Sequence, residues 1–151
     1  MHRSRLILTG IAITGMFTLN SQAAEPTVIQ LSQTGCQFVE PEGQDHQYRP
    51  LLADDCKTIN SQNADARLAG SQVLRLKAGD YVFRVKNANV PYELGFWLRG
   101  SGLGRVTLPS VSGGGLTQGV TKDYAISLKP GEYRYSCPLN PTPDYVLIVE
   151  G

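Results

Sequence analysis

Residues 128–141, LKPGEYRYSCPLNP, combine a tight turn, a strand and a proline-rich loop. Lys129-Pro130-Gly131 has turn composition, and after it Tyr133, Tyr135 and Cys137 alternate with polar residues. Alternation with a period of two predicts a strand with one buried face, which Cys137 shares with the tyrosines. The prolines that follow predict a rigid loop, which suits a metal site and a docking surface equally well.

The same period of two continues through most of the chain. It predicts about seven short strands and therefore an antiparallel β-sandwich or barrel. Between Leu51 and Leu68 the alternation stops, and Asp54 or Asp55 could cap a short helix of two or three turns. The glycine-rich segments 100–104 and 113–115 lack the spacing of a phosphate loop and are predicted to connect strands. The predicted strands are Thr27 to Leu31, Val73 to Leu76, Tyr81 to Asn87, Tyr92 to Arg99, Lys122 to Leu128, Glu132 to Cys137 and Tyr145 to Val149.

The first 24 residues have the features of a signal peptide. Arg3 and Arg5 precede a mostly apolar run from Leu6 to Leu19, and small residues suit cleavage after Ala23 or Ala24. The run is short for a membrane span, although a retained anchor is the alternative. We therefore expect a periplasmic protein with one domain, residues 25–151, and no membrane span in the mature chain.

Cleavage changes the inventory of side chains. The loss of Arg3 and Arg5 turns the net charge from +1 to about −1, which argues against a nucleic-acid partner. It also removes both methionines and His2, so that His46 is the only histidine of the mature chain.

Three cysteines in an oxidising compartment allow three single pairings. Cys36 and Cys56 lie in segments that are not predicted strands, about twenty residues apart, and we favour a disulfide between them. Cys137 would then be the free thiol.

Two segments resemble the cupredoxin family. LKAGDYVFRVKN, residues 76–87, is similar to the central hairpin of the family, and LKPGEYRYSCP, residues 128–138, is similar to the approach to its metal loop. The resemblance covers 73–150 and implies an all-β, Greek-key cupredoxin-like β-sandwich. The part from Gln33 to Gly70, which contains the predicted short helix of the N-terminal half, lies outside it.

The resemblance also implies where a metal would bind. Copper sites of the family use two His and one Cys, often with a weak axial Met, and here Asn140 stands at the position of the second His. The first His would lie where this chain has Asn89, Tyr92 and Glu93. Because the mature chain has one histidine, an ordinary type I site within one chain is excluded.

Four residues are candidate metal ligands. Cys137 is a buried structural residue, a soft ligand for Cu(I), or a redox-active or partner-linked thiol. Glu93 lies where cupredoxin-like domains of bacterial periplasmic iron-uptake proteins carry carboxylates, and the alternative is a solvated side chain beside Trp97 and Arg99. Asn140 is the third candidate. His46 lies in an acidic cluster that could bind a divalent ion, although an ordinary polar loop fits the spacing better.

These observations lead to two hypotheses of different classes. The first is envelope metal handling, in which the protein holds copper or iron and passes the ion to a periplasmic or inner-membrane transporter or oxidase. The second is a metal-free interaction module that uses the same loop end, with an exposed Trp97 and the glycine-rich segment 100–115, to dock on a membrane or periplasmic partner. An enzyme such as a ferroxidase is the third alternative, for which the sequence offers no complete ligand set.

Overall fold

The computed structural model describes residues 25–151, and the predicted signal peptide, residues 1–24, lies outside them. Nine strands and three helices form the described part of the chain. In chain order they are β1 (Thr27–Thr34), β2 (Gln37–Phe38), α1 (Val39–Glu42), α2 (Ala53–Gly70), β3 (Leu74–Lys77), β4 (Gly79–Asn87), β5 (Leu94–Gly100), α3 (Gly104–Thr107), β6 (Val111–Leu116), β7 (Thr121–Leu128), β8 (Gly131–Ser136) and β9 (Tyr145–Glu150).

The strands form two sheets, which confirms the predicted β-sandwich. One sheet has the order β2-β1-β4-β7 and the other has the order β3-β9-β8-β5-β6. The predicted antiparallel pairing is found between most neighbouring strands, but β1 pairs with β4 and β3 pairs with β9 in parallel. Parallel neighbours need a long crossover connection, and the segment that contains α2 provides it between β1 and β4.

The core lies between the sheets and is largely aromatic. Phe96 of β5 stacks on Phe83 of β4 across the sandwich, with ring centroids 5.6 Å apart. Tyr133 and Tyr135 are buried on the face that the alternation predicts. Trp97 points the other way, remains partly exposed and stacks on the guanidinium of Arg99, 4.2 Å from the ring centroid.

Two strands were not predicted. β6 contains Gly113, Gly114 and Gly115, which the sequence assigns to a loop because glycine is a poor strand former. β2 is only two residues long. The predicted helix is present, but α2 has 18 residues and so exceeds the expected two or three turns.

No helix within residues 25–151 combines the length and apolar character needed to cross a membrane.

The sandwich has two ends with different loops. At the loop end, β1, β4 and β8 finish and β5 and β9 begin, so that the 88–93 and 137–144 loops lie side by side. At the opposite end, β1 and β4 begin, and the β7–β8 turn and α3 are found.

Candidate functional site

Cys137 lies at the loop end, directly after β8. Its Sγ accepts backbone N–H bonds from Gly95 (3.3 Å) and Asn140 (3.2 Å), and the residue is only 2% exposed. Burial raises the pKa of the thiol, although these N–H groups act in the opposite direction. At neutral pH the side chain is therefore a buried thiol and not an exposed, reactive thiolate.

Asn87 shapes the loop that faces Cys137. Its side-chain amide donates to the carbonyl oxygens of Val90 (3.1 Å), Tyr92 (3.2 Å) and Leu116 (3.0 Å). The buried Oδ1 of Asn87 accepts the N–H of Val90 at 2.9 Å. A single buried amide thus fixes the backbone that presents Tyr92.

Tyr92 and Asn140 meet at the centre of the loop end. The Tyr92 hydroxyl donates to Asn140 Oδ1 at 2.7 Å, and Asn140 is fully buried. Burial, and the negative charges that Cys137 and Asp55 carry at alkaline pH, raise the pKa of Tyr92 to about 12. The phenol therefore stays protonated at neutral pH and can donate this bond.

The disulfide lies against the same asparagine. Cys36 and Cys56 are bonded as predicted, with Cα atoms 5.0 Å apart, and Cys137 is the free cysteine. Cys56 Sγ lies 2.9 Å from Asn140 Oδ1, which is a close contact and not a hydrogen bond because a disulfide sulfur carries no hydrogen. Closing a loop of 20 residues stabilises the fold by about 3 kcal/mol in the chain-entropy model.

Glu93 points toward β6. Its Oε1 accepts the N–H of Gly115 at 2.6 Å, and the side chain is exposed. The hydrogen bond holds the glycine-rich strand to the start of β5. Trp97 and Arg99, the expected neighbours of Glu93, instead pair with each other, and Arg99 also bonds Asp144 at 2.7 Å.

His46 belongs to a different cluster, on the α2 side of the sandwich. Its Nε2 lies 2.7 Å from Glu42 Oε2, and its ring stacks on Tyr48. Glu42 also pairs with Arg67 at 2.7 Å and accepts a short bond from the Tyr145 hydroxyl. Burial raises the pKa of Glu42, but the bonds from Arg67 and Tyr145 outweigh it and hold the pKa below its usual range.

The Glu42–Arg67 pair was not found by sequence reasoning. Both side chains are buried, and Arg67 also donates to Asn60, Asn63 and the carbonyl of Cys36. The two residues are 25 positions apart in unrelated segments, so no local spacing reveals them. The pair joins α2 to α1 and leaves His46 in a structural network.

The loop end lacks the full set of side chains that a type I copper site needs. A type I copper site needs two imidazoles and a thiolate. The groups that meet at the loop end are a protonated phenol, an amide and a thiol whose pKa is raised by burial. Within residues 25–151, no three His, Cys, Asp or Glu side chains are grouped so as to hold a metal ion. These residues do not fit a type I copper ion.

The side-chain amide of Asn140 is only partly satisfied by hydrogen bonds. Asn140 Nδ2 is buried and has no hydrogen-bond partner among the described residues. The Oε1 of Gln33 is likewise buried and has no hydrogen-bond partner among these residues. Both side chains are fully buried at the loop end, where the Nε2 of Gln33 donates to Gly95 O at 2.8 Å.

Comparison with known proteins shows the fold. No protein-family model and no curated protein matches the chain. Among solved structures, auracyanin B is 12% identical, with 88% of this chain and 96% of that chain covered and a TM-score of 0.53. Auracyanin A, a "blue" copper protein from the green thermophilic photosynthetic bacterium Chloroflexus aurantiacus, is 13% identical over 83% of this chain and all of that chain (100%), with a TM-score of 0.49. An amicyanin mutant is 14% identical over 86% and 87% of the two chains, with a TM-score of 0.43.

At these identities the likeness concerns the fold and leaves the activity open. The two-sheet sandwich, the position of Cys137 after β8 and the match to auracyanin B agree with the family resemblance of the sequence. The chain has the cupredoxin fold.

Proposed function

We propose that the protein is an exported, periplasmic interaction module that docks through its loop end on a protein of the cell envelope. The observation that carries the proposal is the hydrogen bond between Tyr92 and Asn140. Asn140 stands where the resemblance places one metal-binding histidine, and Tyr92 is among the residues available for the other. Their mutual contact, with the thiol of Cys137 buried beside it, fills the position with protein atoms.

The surface around this contact favours protein binding. Leu51 (75% exposed), Leu52 (67%) and Leu139 (44%) are exposed aliphatic side chains of the loop end. Leu51 and Leu52 precede the first turn of α2, where Cys56 touches Asn140, and Leu139 adjoins Asn140 in the chain. We call these three residues the apolar rim. Exposed aliphatic side chains at one end of a domain are typical of interaction sites.

The rim is also held in place before any partner binds. Asp55 accepts the N–H groups of Leu51 and Leu52, at 2.8 and 2.9 Å. Asn60 of α2 donates to the carbonyl of Pro141, which fixes the loop that carries Leu139. Preorganised surfaces lose less conformational entropy on binding, which favours affinity.

Site-specific photocrosslinking in intact cells tests the proposal. A crosslinker at position 51 or 139 should give one envelope protein adduct, and Leu52→Gln should abolish it. Val28 is an exposed aliphatic residue of β1 and supplies the control, because Val28→Gln should leave the adduct unchanged. An adduct that survives Leu52→Gln, or none at either position, would contradict docking through the rim.

Metal handling is the second candidate, and the single free thiol is the observation that favours it. Cys137 lies where the resemblance places the metal-binding thiolate, and Cu(I) prefers soft sulfur ligands. Elemental analysis after anaerobic incubation with Cu(I) or Fe(II) and desalting separates the two candidates. Stoichiometric metal that is lost in Cys137→Ser or Glu93→Ala would support metal handling by that ligand, whereas the docking proposal expects no retained metal.

A further inference from the structure

The segment between β5 and β6, which contains α3, exposes two aliphatic side chains almost completely. Leu103 is 90% exposed and Val106 is 86% exposed, more than any other large apolar residue of the described chain. Because they are three positions apart on a single helical turn, they lie on the same side of it. Arg105 stands between them and is also exposed. We call Leu103, Arg105 and Val106 the α3 knob.

The fold holds the knob in this exposed position. The N–H of Ser101 bonds the carbonyl of Glu132 at 2.8 Å, and the N–H of Leu108 bonds the carbonyl of Gly104 at 2.9 Å. Leu108 packs against the core. At Gly100 a Cβ atom would come within 2.3 Å of the Gly104 carbonyl oxygen, so the tight turn requires glycine there. The exposure of Leu103 and Val106 is therefore built into the structure.

The position of the knob indicates what covers it. It lies at the opposite end of the sandwich from the apolar rim, beside the start of β8. The described chain also enters at this end, because Thr27 pairs with Tyr81 at the start of β4. The 24 residues that precede this point contain the apolar run from Leu6 to Leu19. This run is directed to the membrane during export, and where it is retained as the anchor considered above, it keeps this end of the domain at the lipid surface.

The charge at the α3 knob also suits a lipid surface. Within residues 25–151, neither Arg105 nor Lys129 of the adjacent β7–β8 turn forms a salt bridge, whereas Glu132 beside them is paired with Arg134 at 2.7 Å. Cations next to exposed aliphatic side chains suit the boundary of a bilayer, where phosphates lie above the acyl chains.

We propose that the α3 knob contacts the surface of a phospholipid bilayer. Leu103 and Val106 enter the boundary between headgroups and acyl chains, and Arg105 pairs with lipid phosphate. This contact turns the loop end, with its apolar rim, away from the membrane. The inference is independent of the partner that the rim binds.

Vesicle flotation tests the contact. The protein is produced as the full chain, recovered from the envelope fraction, and its N-terminus is read by mass spectrometry. It is then mixed with vesicles of phosphatidylethanolamine and phosphatidylglycerol, or of phosphatidylcholine alone. The double variant Leu103→Ser/Val106→Ser should lower the partition coefficient at least about tenfold, because two aliphatic side chains no longer leave water.

Two further variants make the outcome specific. Leu51→Ser/Leu52→Ser removes aliphatic side chains from the loop end and should leave partitioning unchanged. Arg105→Gln should weaken binding to the anionic vesicles more than binding to phosphatidylcholine. Equal partitioning of the wild type and the knob variant would overturn the proposal. So would a self-associated wild type that becomes monomeric in the knob variant, because a second copy of the chain would then cover the knob.

Discussion

At the scale of single residues, the contact between Tyr92 and Asn140 makes the loop end different from a metal site. The hydroxyl of Tyr92 is the hydrogen-bond donor for a fully buried amide oxygen, with the disulfide sulfur of Cys56 beside it. Removing the hydroxyl would leave that oxygen without a donor. Unsatisfied buried polar groups destabilise folded proteins by about 1–3 kcal/mol.

Tyr92→Phe should therefore lower the free energy of unfolding by about 1–3 kcal/mol, as measured by urea denaturation. Tyr81→Phe is the matched control, because its hydroxyl donates to the carbonyl of Lys77 at an exposed site. There water can replace the lost bond, so a smaller effect is expected. Equal effects of the two substitutions would show that the Tyr92 bond has no special role.

The thiol of Cys137 predicts a pH dependence of stability. Burial raises its pKa in the folded state, so the folded protein holds the proton more strongly than the unfolded chain does. The stabilising contribution is complete below the unfolded pKa of about 8.5 and is lost as pH rises through the higher folded value. Urea denaturation from neutral to alkaline pH should show this loss, and Cys137→Ala should reduce its slope. An unchanged slope in the variant would contradict the assignment to Cys137.

Part of this site was predicted from the sequence. Of the three possible pairings, the sequence favoured a disulfide between Cys36 and Cys56, because both lie outside the predicted strands, with Cys137 left free, and both expectations are confirmed. The contact of Asn140 with Tyr92 did not follow, because 48 residues separate them. The residues after β4 left three possible positions for the first histidine, and only the folded loop brings one of them to Asn140.

At the scale of elements, helix α2 is joined to the sandwich by polar contacts and the disulfide. Only Cys56 and Arg67 of its 18 residues are buried, so the helix has almost no apolar face. The Arg67–Glu42 pair and the disulfide hold its two ends. A helix attached in this way depends strongly on a few side chains.

Arg67→Met should lower the free energy of unfolding by about 3–5 kcal/mol, because it leaves the buried carboxylate of Glu42 without its cation. Adding Glu42→Gln removes that charge while keeping an oxygen acceptor for Tyr145 and His46, and should recover part of the loss. Urea denaturation of both single variants and the double variant measures the coupling. Strictly additive effects would contradict a direct ion pair.

The elements themselves were largely predictable. Alternation located the strands from β3 to β5 and from β7 to β9 to within a few residues, because one face of each is buried in the core. β6 was not predicted because its three glycines interrupt the alternation of apolar and polar side chains. The length of α2 was underestimated because its stabilising contacts are polar and come from distant segments.

At the scale of the whole molecule, the sandwich separates two surfaces of different character. The apolar rim lies at the loop end, which also holds the Tyr92–Asn140 contact, and the α3 knob lies at the other end, where the chain enters the domain. One surface is proposed to bind an envelope protein and the other a lipid bilayer. The order of the strands in each sheet could not be predicted from the sequence. The placement of these two surfaces at opposite ends therefore became visible only in the folded chain.

Tyr92 and Asn140 are proposed to occupy the positions of two metal ligands and to close them with their hydrogen bond. Adding Cu(II) to the wild type and to Tyr92→His/Asn140→His, and recording the visible absorption spectrum, tests it most directly. The wild type should show no intense band, whereas the double variant should gain one at about 600 nm from a thiolate and two imidazoles on copper. An intense band in the wild type, or a folded double variant with a free Cys137 thiol that binds no copper, would contradict the claim.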